Sequence, residues 1–434
     1  MIVFAKTSVI PARPGSLASV ALAGITVLLL AGCGADASKL AADSAESAAS
    51  AASADGARAI KTGARDLTLK IGTILPQSGA LAFLGPPDQA GVELAVADVN
   101  AANLGITIDA HYRDSGDTTT DTATVSVTDL LSLDVSAIVG AASSGVSMTV
   151  IDQITDAGVV HFSPANTAPA FTDYPDKGLF WRTNPSDVLQ GEVLGNQIAE
   201  DGNGTLGLIV LNDAYGTGLA DATTRAYEAA GGTVVAESLF NEGESNFAAQ
   251  IAEVSAADPD AIALITFDQA QVIAPALVGS GYPGDQLYFV GSNLADYREE
   301  FAPGLIAGSK GTRPGAKQVE AFTSRLLELD PSLVDFSYAA ESYDAVVLLA
   351  LAAYAGNDVE GRSIADYLRQ VSGGTGEGTK ATDFAGAAAA LAKGEQVDYD
   401  GLSGLITFDA QGDPTQATIG LYRYGPNNNY SRIN

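Results

Sequence analysis

Cysteine and histidine are almost missing from this chain. Of its 434 residues one is cysteine, Cys33, and two are histidine, His111 and His161. A single thiol closes no internal disulfide, and no paired Cys/His zinc pattern can be assembled. The histidines sit in an alternating run (ITIDAHY) and an apolar run (VVHFS), so both read as structural, and general-base chemistry is left with few candidates. Basic residues are scarce too: 22 Lys and Arg stand against 52 Asp and Glu, a formal charge of −30. Such a surface repels phosphate backbones and excludes nucleic acid as a partner. A GxSxG elbow, a Walker loop and an HExxH pair are also lacking. Gly202 to Gly207 matches GxGxxG but precedes a strand instead of joining a strand to a helix, so it reads as a turn. No catalytic residue, cofactor or metal site is expected.

What is present is globular: 47% hydrophobic and 17% charged residues, over a length ample for two cores. The N-terminus is different. Lys6 and Arg13 precede an apolar stretch of 14 residues, Leu17 to Leu30, which has the length of a signal-peptide core and is short for a membrane span. It runs into Leu30-Ala31-Gly32-Cys33, which resembles a bacterial lipobox, with cleavage before an acylated cysteine. Residues 1–32 are thus expected to be a lipoprotein signal peptide. Residues 33–66, rich in Ala and Ser, are expected to be a tether. The expected location is extracytoplasmic, with the membrane reached through lipid on Cys33.

From Leu69 the pattern becomes strand, helix, strand. LKIGTIL is a buried-strand run, and AGVELAVADVNAA places Val92, Ala95, Val96 and Val99 on one helical face. ITIDAHY, VSAIVGA and VVHFSP follow, separated by helices. The pattern restarts after Asn184-Pro185-Ser186 with TLGLIVLND, TVVAESLF, AIALITFD and QLYFVGSN. Two α/β lobes with mostly parallel sheets follow from this alternation. From Ala316 to Ala392 helices dominate, and GLITFDAQGD with ATIGLYRYG is read as a closing strand pair. Trp181 and Arg182, beside the first crossing, read as a packed hinge.

The segments IVGAASSG, VVHFSPANTAPAFT, FWRTNPSD, DAYGTG, SYDAVVLLA and GLITFDAQGD occur in order over most of the chain. Together they resemble the type I periplasmic binding proteins of the leucine/isoleucine/valine-binding family. The resemblance implies two lobes, each a mostly parallel sheet flanked by helices, joined by three crossovers near Thr183 to Ser186, Lys310 to Pro314 and Ser403 to Asp409. Lobe I is expected over 67–184 and 312–403, and lobe II over 185–311 and 404–434. It further implies a binding protein for a small-molecule ligand, with ABC transporter permease subunits as partners and no enzymatic activity.

Ligands of such sheets lie at the carboxyl ends of strands, where helix N-termini point. Two such ends carry small residues and hydroxyls, Ser143-Ser144 and Ala165-Asn166-Thr167. Ser143 and Ser144 are equally readable as helix caps. The resemblance assigns Ser144, Ala165 and Thr167 to the ligand's α-carboxylate and makes Tyr215 the residue that closes from the second lobe. Phe83 and Leu84 are expected to form the apolar wall. In the amino-acid binders an acidic residue meets the amine after the strand read here as LYFVG. The aligned residue is Asn293, with Asp268, and after it Asp296, as acids that could replace it. An amino acid is the expected ligand; an amide, a urea-like compound and a carboxylate without an amine stay open, as does a sensory role.

Overall fold

The structure, a computed structural model, describes residues 57–434 apart from 377. The expected signal segment, Cys33 and most of the expected tether lie outside the described residues. The expected tether runs to residue 66, but the chain is docked from Arg58 onward. The Arg58 backbone N–H donates to Gln370 Oε1 at 2.8 Å, and the Arg65 guanidinium lies 3.8 Å over the Tyr354 ring.

The first sheet has the order β2-β1-β3-β4-β5, every pair parallel. Its strands are β1 (Leu67–Leu75), β2 (Ile106–Asp114), β3 (Ala137–Gly140), β4 (Val160–Ser163) and β5 (Phe180–Arg182). Helices α1 (Gly85–Ala102), α2 (Thr122–Ser132) and α3 (Ser144–Asp156) make the crossings. The chain leaves β1 for β2 on one side and returns to β3 on the other. That reversal sets the loops after β1 and β3 side by side, where a parallel sheet opens a crevice.

After α4 (Asp187–Glu200) the second sheet repeats the scheme and takes in β13 (Ile419–Tyr424) and β14 (Tyr430–Arg432) from the far end of the chain, in the order β14-β13-β10-β9-β8-β6-β7. Strands β6 (Thr205–Leu211), β7 (Thr233–Phe240), β8 (Ala261–Ile265), β9 (Leu287–Phe289) and β10 (Lys310–Pro314) run parallel. Helices α5 (Ala214–Ala229), α6 (Ala248–Ala256) and α7 (Ala270–Gly279) connect the first four. The reversal here lies between β6 and β8, beside the start of α5.

The chain then returns to the first lobe with α8 (Glu320–Leu329), α9 (Ala339–Gly356) and α10 (Gly361–Val371). Strands β11 (Thr379–Ala381) and β12 (Val397–Tyr399) flank α11 (Phe384–Leu391). All of α9 is buried, against α1 and α10 among others, so its apolar length of 18 residues is spent on the core. The end of the chain differs from the expected strand pair. GLITFDAQGD contributes only an isolated bridge, Phe408 with Pro414, and the pair is instead β13 (Ile419–Tyr424) with β14 (Tyr430–Arg432). Ile406 and Phe408 pack into the first core with Phe162 and Trp181. A lobe boundary at 404 therefore falls just before two first-core residues, and one at 312 falls inside β10 of the second sheet.

Thr183, Asn184, Gly315, Ser403 and Gly404, from all three crossing segments, line one cavity of about 220 Å³. Glu341 at the start of α9 lines it too, and burial raises its carboxyl to about 7.

Candidate functional site

The two lobes touch along the cleft. Leu81 and Leu84 belong to the first lobe by sequence but sit in the second hydrophobic core, with Phe83 and Ala165 packed against it. The Thr118 backbone N–H donates to Glu242 Oε2 at 3.1 Å. At Gly145 a side-chain Cβ would lie 2.8 Å from Asp213 Oδ2, so only glycine lets α3 approach α5 this closely.

The two serines divide their work. Ser143 is extended (φ −70, ψ 129) and its hydroxyl accepts the Val146 N–H at 3.3 Å, which makes it the cap of α3. Ser144 is the first helical residue, and its hydroxyl accepts the Ala168 N–H at 3.3 Å. The Ser144 proton is therefore free to donate. Asn166 is fully buried, and its amide donates to the carbonyls of Ala141 and Ala142 at 3.1 and 2.9 Å. It ties the end of β4 to the end of β3 and so places Ala165 and Thr167 beside Ser144. Thr167 is 4% exposed, and its carbonyl accepts the Asp187 N–H at 2.7 Å.

From the second lobe Tyr215 enters in the first turn of α5. Its ring stacks on Phe267 with centroids 5.7 Å apart. Ser292 Oγ donates to the Thr266 carbonyl at 2.8 Å, so the Tyr215 hydroxyl donates to Ser292 Oγ at 2.6 Å. Burial first, then the Asp187 charge, pushes the phenol well above its usual range.

Of the expected amine partners, Asn293 and Asp296 are already engaged and Asp268 is open to solvent. Asn293 is consumed by its own strand ends: its amide donates to the Leu264 carbonyl at 2.8 Å and to Thr266 Oγ1 at 3.0 Å, and its oxygen accepts the Val290 N–H at 2.8 Å. Asp268 is exposed, and partial burial followed by the Asp117 charge raises its carboxyl. Asp296 is paired with Arg298 at 2.6 Å.

Asp187 has the missing property. It is the first residue of α4, 0% exposed, and neither carboxylate oxygen has a hydrogen-bond partner among the described residues. Burial raises its carboxyl to about 7, against the pull of the Thr167 hydroxyl and the Arg182 charge. The hydroxyl eases the charge without closing a bond to it. A buried carboxylate left unpaired is costly, and it marks a place where a donor belongs. Asp187 closes the segment FWRTNPSD, one residue past the crossing Asn184-Pro185-Ser186. The available signal was an acid directly after that crossing. Asp213 is a weaker second case: Oδ1 accepts the Gly216 N–H at 2.7 Å, while Oδ2 is buried against Gly145 without a partner.

A sequence profile of the family described as "Periplasmic binding protein" matches residues 68–425. The chemotactic signal transduction system substrate-binding protein BasB of Halobacterium salinarum is 27% identical over 357 residues, 79% of this chain and 84% of that protein. Leu/Ile/Val-binding protein homolog 1 of Brucella abortus is 25% identical, over 84% of this chain and 92% of that protein. The fold is shared with the branched-chain amino acid transporter substrate-binding protein LivJ of Streptococcus pneumoniae, solved in complex with isoleucine. The TM-score is 0.68 at 23% identity, covering 84% of this chain and 100% of that one. The two-lobe α/β architecture and the profile match lead to one conclusion: the chain belongs to the type I periplasmic binding proteins of the branched-chain amino acid family, extracytoplasmic proteins that bind small solutes.

Proposed function

We propose that this chain captures an α-amino acid in the interlobe cleft and hands it to the permease of an ABC importer, held at the membrane by lipid on Cys33. The observation that carries the reading is Asp187, whose two buried, unpartnered oxygens stand beside Thr167 and Tyr215. An ammonium group supplies what that carboxylate lacks. Ser144 and Thr167, with the free N–H groups at the start of α3, supply donors for a carboxylate on the same solute. Ala165, Phe83 and Leu84 enclose the space from the first lobe. A second reading, in which occupancy is signalled to a receptor, is favoured by the likeness to BasB. Loss of labelled-solute uptake on deleting the gene supports import, and loss of taxis with uptake intact supports sensing.

Calorimetry with an amino acid and its α-carboxamide tests the carboxylate end. The wild-type protein is expected to prefer the acid. Ser144→Ala and Thr167→Ala each lose about tenfold or more in affinity for the acid, since a hydrogen bond to a charged group contributes roughly 1.5–3 kcal/mol. Ser143→Ala, by contrast, is expected to cost about 1 kcal/mol of stability with affinity nearly intact, as for a cap. Equal binding of acid and carboxamide refutes the carboxylate pocket and favours an amide-type solute.

Anchoring is tested separately. Cys33→Ser is expected to shift the protein from the membrane to the soluble fraction, or to leave an uncleaved precursor. A variant that is processed and membrane-bound like the wild type refutes the lipid anchor.

A further inference from the structure

A cavity of about 140 Å³ at the end of β10 is lined by three cations, Arg313, Lys317 and Arg432, together with Ser337, Tyr338 and Glu341. In a chain so short of basic residues, this convergence needs a reason. The Arg313 guanidinium donates only to neutral hydroxyls: Ser337 at 2.6 Å, Tyr430 at 3.1 Å and Tyr422 at 3.4 Å. It also lies over the Tyr422 and Tyr430 rings, 5.0 and 5.5 Å from their centroids. Arg432 likewise donates to neutral groups, the Gly315 carbonyl at 3.2 Å and Asn434 Oδ1 at 3.0 Å. Among the described residues no carboxylate forms an ion pair with any of the three. The charges of Asp335 and Glu341 bear on Arg313 without touching it, and a half-buried guanidinium with no direct ion pair keeps a planar fork that suits a carboxylate.

Two lining residues, Tyr338 and Arg313, lie against Gly291, which precedes Ser292 in the chain. A Cβ added at Gly291 would sit 2.8 Å from the Tyr338 hydroxyl and 3.3 Å from Arg313 Cγ. The next residue, Ser292, holds the Tyr215 hydroxyl. Tyr338 lines the cavity, and the charges of Arg313, Glu341, Asp187 and Asp88 all bear on its phenol.

We propose that this cavity receives an anionic group on the side chain of the captured solute, so that the cleft selects an acidic α-amino acid over an aliphatic one. The inference rests on the reading of the cleft as an amino-acid site. The α-ammonium meets Asp187, the α-carboxylate meets Ser144 and Thr167, and the distal carboxylate meets Arg313 with Lys317 and Arg432 around it. Glu341 on the same wall, its carboxyl raised by burial, is the one acid lining the cavity among the described residues.

Calorimetry on the purified protein with glutamate, glutamine and leucine is the test. Glutamate is expected to bind about tenfold or more tightly than glutamine, the loss of one charged partner being of that size. Arg313→Gln is expected to erase that preference and leave leucine unchanged. Because Arg313 is partly buried, Lys317→Ala at an exposed position is the second variant, expected to cut the preference severalfold without touching the fold. Leucine bound more tightly than glutamate by the wild type, or equal losses for all three solutes in Arg313→Gln, overturns the inference and leaves the amino-acid reading standing. Inorganic phosphate binding that depends on Arg313 but does not compete with glutamate also overturns it. If no amino acid binds but glutarate does, in an Arg313-dependent way, the cavity's carboxylate specificity is upheld and the amino-acid reading fails.

Discussion

Asp187→Asn is expected to weaken amino-acid capture by about a hundredfold or more while making the empty protein more stable. The binding loss follows from taking one partner out of a buried charge pair, which costs about 3–5 kcal/mol. The gain in stability follows from the unliganded site, where both Asp187 oxygens are buried without a partner. An amide of the same shape carries no charge to desolvate, so an increase of about 1–3 kcal/mol is expected. Its pH dependence has a definite sign. The folded carboxyl is raised to about 7 from an ordinary value of 3.8, so the folded state holds the extra proton between those values. The wild type therefore loses stability as pH rises through that window. The advantage of the variant is largest above pH 7 and vanishes below about 4. Calorimetry and thermal unfolding at pH 5 and pH 8 read both effects. A variant that binds as tightly as the wild type removes Asp187 from the amine site, whatever its stability.

Arg182→Leu is expected to lower stability by about 3–5 kcal/mol, the usual cost of stranding one half of a buried ion pair. Arg182 is 0% exposed and holds Asp413 with Nε at 2.6 Å and Nη2 at 2.7 Å. Nη1 donates to the Ala168 carbonyl at 2.9 Å, and Nη2 also reaches Thr172 Oγ1 at 3.1 Å. The residue thus joins β5, the Thr167–Thr172 loop and the returning segment at Asp413. Loss of this tie should loosen Thr167 and weaken solute binding as well. In Arg182→Leu/Asp413→Leu the stranded carboxylate is gone, and most of the lost stability is expected to return. A thermal midpoint unchanged in the single variant would show that Asp413 finds other partners.

The alternation of strand and helix was legible because hydrophobic period is a local property: β1, α1 and β6 were readable from their own residues. Local reading failed where the partner decides. GLITFDAQGD alternates like a strand, yet Ile406 and Phe408 are taken up by the first core beside Trp181, and no ladder forms. The stretch from Arg58 to residue 66 looked like a tether because its composition is polar and small. Its contacts with Gln370 and Tyr354 involve residues about 300 positions away, which composition does not register.

At the site the division is similar. Ser144, Thr167 and Tyr215 stand out by residue type after a strand and by resemblance, and the fold buries all three. Residue types at the strand ends, the shortage of histidine and cysteine, and the excess of acid are read directly from the chain. Tertiary structure decided which acid is left without a partner. Asn293 lies where an acid was sought but spends its amide on Leu264 and Thr266. Asp268 ends in solvent among like charges, and Asp187 is sealed in with neither oxygen satisfied. Burial and pairing are sums over neighbours drawn from distant parts of the chain, so which acid stays unpaired becomes visible only when both lobes are in place.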